Sequence, residues 1–389
     1  MSHRMKRTLG VLALFALAAC GAGATAPSLP NGAANGVVRA AHETIPGEGG
    51  NALPGAVLSC AFDPRPGQGN CTVAINVEIP PISSRTTPAS LVPGLHPADL
   101  QRAYALPSQN AGQTVAIVDA YDDPTAELDL ATYRATFGLP ACTSLNGCFR
   151  KVNETGGRIP LPLPNDAWAQ EISLDLDMVS AGCPRCSILL VEASSSSIDD
   201  LGASVDTAVR LGSKIVSNSY YAFEWPHEAN EDVHYRHAGV AMTVSAGDAA
   251  ETFYPAASPY VTSVGGTTFT ALPAFAQAPW KFGGSGCSFY EPRPAFQRAA
   301  GCATRSTVDV AAVADPQTGV ATFAAAGGGW VVAGGTSVGA PLLAGAYALS
   351  ANPRGPAYAY AHSKYFTPIG PGRYGRQTGL GVPDGVLGL

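Results

Sequence analysis

The chain has 389 residues, room for one large domain with an extension or for two ordinary domains, and 46% of them are apolar, ample for a sizeable core. Charged residues make up 13%, about half the usual share, and the net charge is −6. This excludes long basic arms and a nucleic-acid footprint, and a mild negative charge names no partner.

The chain opens with a leader. Arg4, Lys6 and Arg7 form a positive region, and the apolar run from Leu9 to Ala19 is too short to span a bilayer comfortably. It ends Leu17-Ala18-Ala19-Cys20-Gly21, which resembles a bacterial lipobox, so residues 1–20 read as a lipoprotein-type signal peptide with Cys20 lipidated. The alternative is an ordinary secretory signal cleaved nearby. Either one places the protein outside the cytoplasm, lipid-anchored to a bacterial membrane or secreted. Residues 21–54, rich in Ala, Gly and Pro, read as a flexible tether. Residues 55–92 form a short extension, with Cys71 to Val77 extended: a pro-segment or an added edge strand. Leu91-Val92-Pro93-Gly94 marks a boundary, and the main domain takes residues 93–389.

Within that domain short apolar strands alternate with helices. Thr114 to Asp119 is a buried strand ending in an acid, Pro124 to Phe137 an amphipathic helix, and Trp168 to Ala181 another helix. Ser187 to Glu192, Lys214 to Ser219, Val240 to Gly247 and Tyr260 to Thr270 are strands, with a helix from Asp199 to Leu211. The pattern predicts an α/β fold whose parallel sheet is covered on both faces, with function at the carboxyl ends of the strands. Beyond Cys20, eight of the nine cysteines form close pairs: Cys60 and Cys71, Cys142 and Cys148, Cys183 and Cys186, Cys287 and Cys302. An oxidising compartment favours four local disulfides, although spacing leaves the connectivity open. Cys183-Pro184-Arg185-Cys186 follows a helix end, whereas a redox pair wants a helix N-terminus, so it reads as a structural staple.

Two stretches carry chemistry. The apolar strand from Trp330 reaches Gly334-Gly335, then Thr336-Ser337, then a buried helix. Glycines there let the backbone turn sharply toward a substrate, although a serine at a helix start is by itself only a cap. Glu171 and Asp175, at i and i+4, share one helix face, with Asp177 pointing elsewhere. Two such acids alone would be a solvated face, but Trp168, Ile172, Leu174, Leu176, Met178 and Val179 surround them. Like charges in a partly desolvated site cannot both ionise easily, so the pair would share a proton, as an acid/base relay at low pH requires.

Together these residues resemble the sedolisin (serine-carboxyl peptidase) family, which has the subtilisin-like fold. Gly335-Thr336-Ser337-Val338-Gly339-Ala340-Pro341 matches the nucleophile motif, Glu171 and Asp175 match the Glu-x-x-x-Asp helix, and Ser245-Ala246-Gly247-Asp248 matches the oxyanion segment. Tyr254 to Val261 and Ser263 to Thr267 are similar too, and the likeness runs from about residue 92 to the end. The resemblance implies a three-layer α/β fold with a mostly parallel central sheet, and a serine-type endopeptidase that hydrolyses peptide bonds at acidic pH through an acyl-enzyme on Ser337. Glu171 would be general base and acid, Asp175 its orienting partner, and protonated Asp248 the oxyanion donor. The implied partner is a polypeptide substrate, with no nucleic acid, a membrane only through lipid at Cys20, and a monomeric state.

The sequence departs from the family in places. Family members bind calcium near the C-terminus through acids, and Phe366 and Gly375 stand at the aligned positions, so no cofactor is expected and the loop would be held by packing alone or be loose. Tyr221 replaces a frequent glycine, and Gly247-Asp248-Ala249-Ala250 stands where Gly-Asp-Ser-Gly is usual, which points to unusual specificity. The large pro-domain of the family is absent or reduced. Three rival readings fit parts of the sequence. Gly335-Thr336-Ser337-Val338-Gly339 fits the elbow of α/β-hydrolases, but the only later histidine, His362, precedes the only later acid, Asp384, so the order fails. His227, His234 and His237 with Glu228, Glu231 and Asp232 lack a metal-ligand spacing and read as a polar surface loop. A catalytically weak or inactive surface-anchored binding protein on the same scaffold is the functional alternative.

Overall fold

The computed structural model describes residues 53–60, 63, 65–71, 73–107, 113–298, 301–350 and 353–389, so the leader, Cys20 and the tether up to residue 52 lie outside the described residues. Three short strands come first: β1 (Ala56–Leu58), β2 (Asn70–Cys71) and β3 (Ala74–Asn76). Helix α1 (Pro97–Ala103) carries proline in its first turn, where a missing N–H costs nothing. Then come β4 (Thr114–Ala120), α2 (Ala126–Thr136), β5 (Phe149–Asn153), α3 (Asp166–Gly182), β6 (Ser187–Ala193), α4 (Ile198–Arg210) and β7 (Ile215–Asn218). The strands β8 (Tyr220–Phe223), β9 (Ala241–Ser245), β10 (Phe253–Tyr254), β11 (Thr262–Ala271) and β12 (Ala276–Pro279) follow. Then come β13 (Cys287–Pro292), β14 (Thr304–Ser306), β15 (Val310–Val313), β16 (Val320–Ala324), β17 (Gly329–Gly334) and α5 (Thr336–Leu349), and last α6 (Pro356–Ala361), β18 (Phe366–Thr367) and β19 (Val382–Pro383).

The central sheet has the order β12-β11-β9-β7-β4-β6-β5, with β15 also on β11, and every pairing in it is parallel except that of β12. Strand alternation explains the layers. Val115 and Ile117 of β4 join the core that holds Ile172, Leu176 and Val179 of α3 and Leu342 and Leu343 of α5. Ala116 and Val118 join the opposite core, with Ile198, Leu201 and Val205 of α4. A sheet buried on both faces reads as an unbroken apolar run, as Val115 to Val118 does. The expected fold class is present: a three-layer, mostly parallel α/β fold.

One strand stands apart. β17, which leads to Ser337, belongs to a separate antiparallel sheet of order β1-β3-β17-β16 rather than to the parallel one. β2 pairs with β8 instead, in a sheet of order β10-β8-β2. Residues 55–92 are thus stitched to the domain by two separate pairings, and β3 lies inside its sheet rather than at an edge. The sequence-adjacent cysteines close as disulfides Cys60–Cys71, Cys142–Cys148, Cys183–Cys186 and Cys287–Cys302. Cys183 ends α3, which fits a staple. Among the described residues, no helix is long and apolar enough to cross a membrane.

Candidate active site

Helix α3 starts where Asn165 accepts hydrogen bonds from the backbone N–H groups of Ala167 and Trp168, both at 3.1 Å. Glu171 and Asp175 follow, both 0% exposed. Small residues bring α3 against α5: a side chain at Gly182 would strike the backbone of Leu342, and one at Gly345 would crowd Cys183. The helices therefore lie side by side, with the two acids upstream on one and Ser337 upstream on the other. Asp177 does face elsewhere, accepting from Thr322 Oγ1 at 2.8 Å and from Phe323 N at 2.9 Å.

A third carboxylate joins the pair. Asp119 sits at the carboxyl end of β4, is 0% exposed, and has neither oxygen hydrogen-bonded among the described residues. Burial pushes its carboxyl well above the usual range, and the charges of Asp175, Glu171 and Glu192 push it further. Burial, then the charge of Glu171, likewise raises Asp175, against a smaller opposing effect of the Ser219 hydroxyl. Glu192 rises to about 8 through burial, although the ammonium of Lys151 lies 3.4 Å away. In the sequence Asp119 is marked only as the end of a strand. The available signal was an acid at the carboxyl end of a buried parallel strand.

Asp248 follows β9 and is 1% exposed. Its Oδ1 accepts from Thr336 N at 2.7 Å and from Thr336 Oγ1 at 2.9 Å, and Thr336 Oγ1 also accepts from Gly247 N at 3.0 Å. Burial raises its carboxyl to about 7 despite those two donors. Its Oδ2 is buried without a hydrogen-bond partner among the described residues. Asp248 is therefore fixed through one oxygen to the residue before Ser337, and its other oxygen can hold a proton. Gly335, at φ 97°, makes the turn from β17 into α5 that L side chains resist. The structure thus brings Glu171 and Asp175 together with Asp119, and ties Asp248 to Thr336, the residue before Ser337. Ser337 itself is 0% exposed.

Beside Asp248 lies an aromatic stack. The rings of Tyr221 and Phe253 are 4.3 Å apart, and those of Phe223 and Phe253 5.5 Å. Phe253 packs so tightly on Gly247 that any side chain there would overlap its ring. Tyr221 and Phe253 are each 1% exposed, so the glycine replaced by Tyr221 has become part of a filled wall.

The calcium positions do not fit a hard cation. Phe366 is buried in the apolar core, and Gly375 offers only backbone, its N–H bonded to Gly379 O at 2.8 Å. The loop is not loose, and more than packing holds it. Tyr374 donates to Ser306 Oγ or Val308 O, each at 2.8 Å, and Leu380 N bonds Asp309 O at 2.8 Å. Asp309 is in turn locked by the buried guanidinium of Arg305, at 2.6 Å and 2.7 Å.

The histidine segment is more ordered than a polar surface loop. Residues Glu228–His234 form a 3-10 turn with Glu228 fully buried, because that carboxylate caps Trp225 N at 2.9 Å. His234 and His237 both bond Asp206, at 2.7 Å and 2.9 Å, and no group of three His, Cys, Asp or Glu residues among the described ones is placed to hold a metal.

Comparison with known proteins sets this geometry in a class. No protein-family model matches the chain. The structure of Pseudomonas sedolisin, a serine-carboxyl proteinase complexed with two molecules of pseudo-iodotyrostatin, superposes with a TM-score of 0.63 at 22% identity, over 75% of this chain and 96% of that one. MycP1 from Mycobacterium smegmatis gives 0.53 at 16% identity, over 84% of this chain and 95% of the other. The fold is thus the subtilisin-like α/β fold. In sequence the chain is 29% identical to kumamolisin of Bacillus sp. (strain MN-32) in an alignment of 294 residues that covers 64% of this chain and 50% of kumamolisin. The chain is thus similar in sequence to kumamolisin and in fold to Pseudomonas sedolisin, and it spans about half the length of the curated relative it matches.

Proposed function

We propose that the chain is a serine-carboxyl endopeptidase, hydrolysing peptide bonds at acidic pH through an acyl-enzyme on Ser337. The observation that carries this reading is the bond from Asp248 to Thr336, which leaves a buried carboxyl oxygen beside the nucleophile's helix. In the proposed reaction Ser337 Oγ attacks the scissile carbonyl while Glu171 takes its proton. Glu171 then hands that proton to the leaving amine, and water attacks the acyl-enzyme by the same route. Asp175 orients Glu171. Asp119, protonated in its apolar setting, keeps a further negative charge away from the pair. Asp248 Oδ2–H donates to the oxyanion, a role that an ionised carboxylate would reverse.

We also infer that the chain works outside the cytoplasm as a monomer, anchored by lipid at Cys20 or secreted. The disulfides support an oxidising compartment. No calcium is assigned to the C-terminal loop. The test is cleavage of a denatured protein across a pH series, beside Ser337→Ala. Cleavage near about pH 4 that the variant lacks supports the mechanism. Matching inactivity of two folded proteins favours instead a surface-anchored binding protein, a reading to which the complete burial of Ser337 lends weight.

A further inference from the structure

A second cleft opens at the far end of the central sheet. Val240 lies just before β9 and Tyr260 two residues before β11, so the cleft sits at the amino ends of these parallel strands, whereas Asp248 follows the carboxyl end of β9. The run from Val240 to Asp248, at about 3.3 Å per residue, puts roughly 20 Å between the cleft and the candidate active site. The cleft encloses about 900 Å³, near the upper end for a ligand site. Arg236, Arg293 and Arg354 line it, with the rings of Tyr260, Phe296 and Tyr358, and no acidic side chain does. In a chain of net charge −6 this is a local reversal of sign.

Three different contacts hold the guanidinium groups. Arg236 lies over the ring of Tyr260 at 5.5 Å and Arg354 over that of Tyr358 at 5.2 Å, while Arg293 Nη1 donates to Cys302 O at 3.1 Å. None of the three forms an ion pair with an acid among the described residues. The neighbouring acids are engaged or buried. Asp206 is taken by His234 and His237, Asp232 accepts from the Tyr254 hydroxyl at 3.3 Å, and Glu291 is 0% exposed. Pro292 and Pro294 flank Arg293, and Pro356 starts α6 close after Arg354, so two of the arginines stand on backbone with few conformations to lose. Phe296 is packed on Tyr360, with ring centroids 5.0 Å apart. Cations without counter-ions attract carboxylates, and the planar fork of each arginine can take one in two parallel hydrogen bonds. Three such points, with apolar rings beside them, suit a flexible chain carrying several carboxylates better than a single small anion.

We propose that this cleft is an anchoring site for acidic polypeptide segments, Asp- or Glu-rich stretches that bind there while a distant part of the same substrate lies at Ser337. The role as an anchor rests on the endopeptidase reading above, and the binding itself does not depend on it. Holding a substrate at a second point raises its effective concentration at the first, so the anchor should lower KM and leave kcat alone. The connection must be long enough to pass around the domain: at about 3.3–3.6 Å per extended residue, a path of about 40 Å takes roughly a dozen residues.

The binding arm of the experiment uses the full chain with Ser337→Ala, so that nothing is cut, and a fluorescent peptide of about eight glutamates at about pH 5, where these side chains are mostly ionised. The same protein carrying Arg236→Gln, Arg293→Gln and Arg354→Gln is compared with it. Each single change is made as well, so that the singles decide if the triple variant does not fold, and melting curves establish folding. The expected result is a saturable rise in anisotropy, weakened about tenfold or more by the triple change and about threefold by each single one. The cleavage arm uses the active chain and one scissile peptide, plain or joined at either end through about twenty Gly and Ser residues to the glutamate tract. A joined peptide should exceed the plain one by about tenfold in kcat/KM, through KM, and that ratio should fall to near one in the arginine variants. No binding, or binding indifferent to the arginines, overturns the anchoring site and leaves the endopeptidase reading intact. So does an oligonucleotide or an anionic lipid vesicle that binds through the same arginines more tightly than the peptide, since the cleft then serves another polyanion. Equal kcat/KM for plain and joined peptides, in an active chain that binds the tract, overturns the role as a substrate anchor. Arginine-dependent binding of the peptide with no cleavage by any folded form sustains the acidic-segment site and removes the endopeptidase reading.

Discussion

Asp248 accepts two hydrogen bonds from Thr336, from its backbone N–H at 2.7 Å and its hydroxyl at 2.9 Å, through a single oxygen. That contact ties the residue after β9 to the first turn of α5, and aims the second carboxyl oxygen without engaging it.

The first prediction follows from that geometry. With the Asp248 carboxyl raised to about 7, its proton is present in acid and lost as pH rises through that value. Activity should therefore fall across neutrality. Asp248→Asn keeps an oxygen for Thr336 and an N–H for the oxyanion, so it should retain turnover and lose this alkaline fall. Asp248→Ala should lower kcat by about 10²–10³-fold. The check is kcat/KM against pH for all three proteins. An alkaline limb unchanged in Asp248→Asn would remove Asp248 from the role.

The second concerns stability. Asp119, Asp175, Asp177 and Asp248 all have carboxyls raised by burial. The folded state holds these protons after the unfolded chain has released them. Their contribution is complete below the ordinary carboxylate range and is lost as pH climbs through the raised values. Melting temperature should be higher at about pH 4 than at about pH 8. A curve that rises toward neutrality would contradict the assignment of these groups as neutral acids.

A third prediction addresses the filled wall. Tyr221→Gly removes a buried ring from the stack with Phe253, at a cost of about 3–5 kcal/mol. It also opens space beside Asp248. The variant should accept larger side chains next to the scissile bond than the wild type, seen by sequencing the products from a mixed peptide pool. Identical product patterns would show that Tyr221 does not border the substrate.

The last prediction separates the C-terminal loop from metal. Arg305 and Asp309 are both 0% exposed, and Asp309 also accepts from Ser263 N at 2.9 Å and Gln297 Nε2 at 2.9 Å. Arg305→Met would leave that carboxylate buried without its cation and should destabilise the fold by about 3–5 kcal/mol. A chelator should leave the melting temperature of the wild type unchanged. A drop on chelation, restored by calcium, would refute the metal-free loop.

Much of this was legible along the chain because it depends on local periodicity. The run Val115 to Val118 is apolar on both faces, so β4 could be read as a buried parallel strand, and Glu171 and Asp175 share a helix face by spacing alone. The cysteines that join are near neighbours in sequence, so close pairs could be read along the chain, while their connectivity came from the fold. Distance in sequence decided what could not be read. Asp119 becomes part of the acid cluster only because β4 and α3 pack together, and its burial, not its identity, raises its carboxyl. The bond from Asp248 to Thr336 joins two motifs that sequence could place side by side but not orient.

By itself the sequence determined the strands at β4, β6, β7, β9, β11 and β17, the helices α2 to α5, the acids on one helix face and the serine at the turn into α5, since each follows from spacing and side-chain chemistry within a few residues. Only the tertiary structure decided that β2 and β3 lie on β8 and β17. Strand pairing is set by backbone hydrogen bonds, which carry no residue-specific code, so an extended segment such as Asn70 to Asn76 pairs wherever the rest of the fold leaves strand edges open.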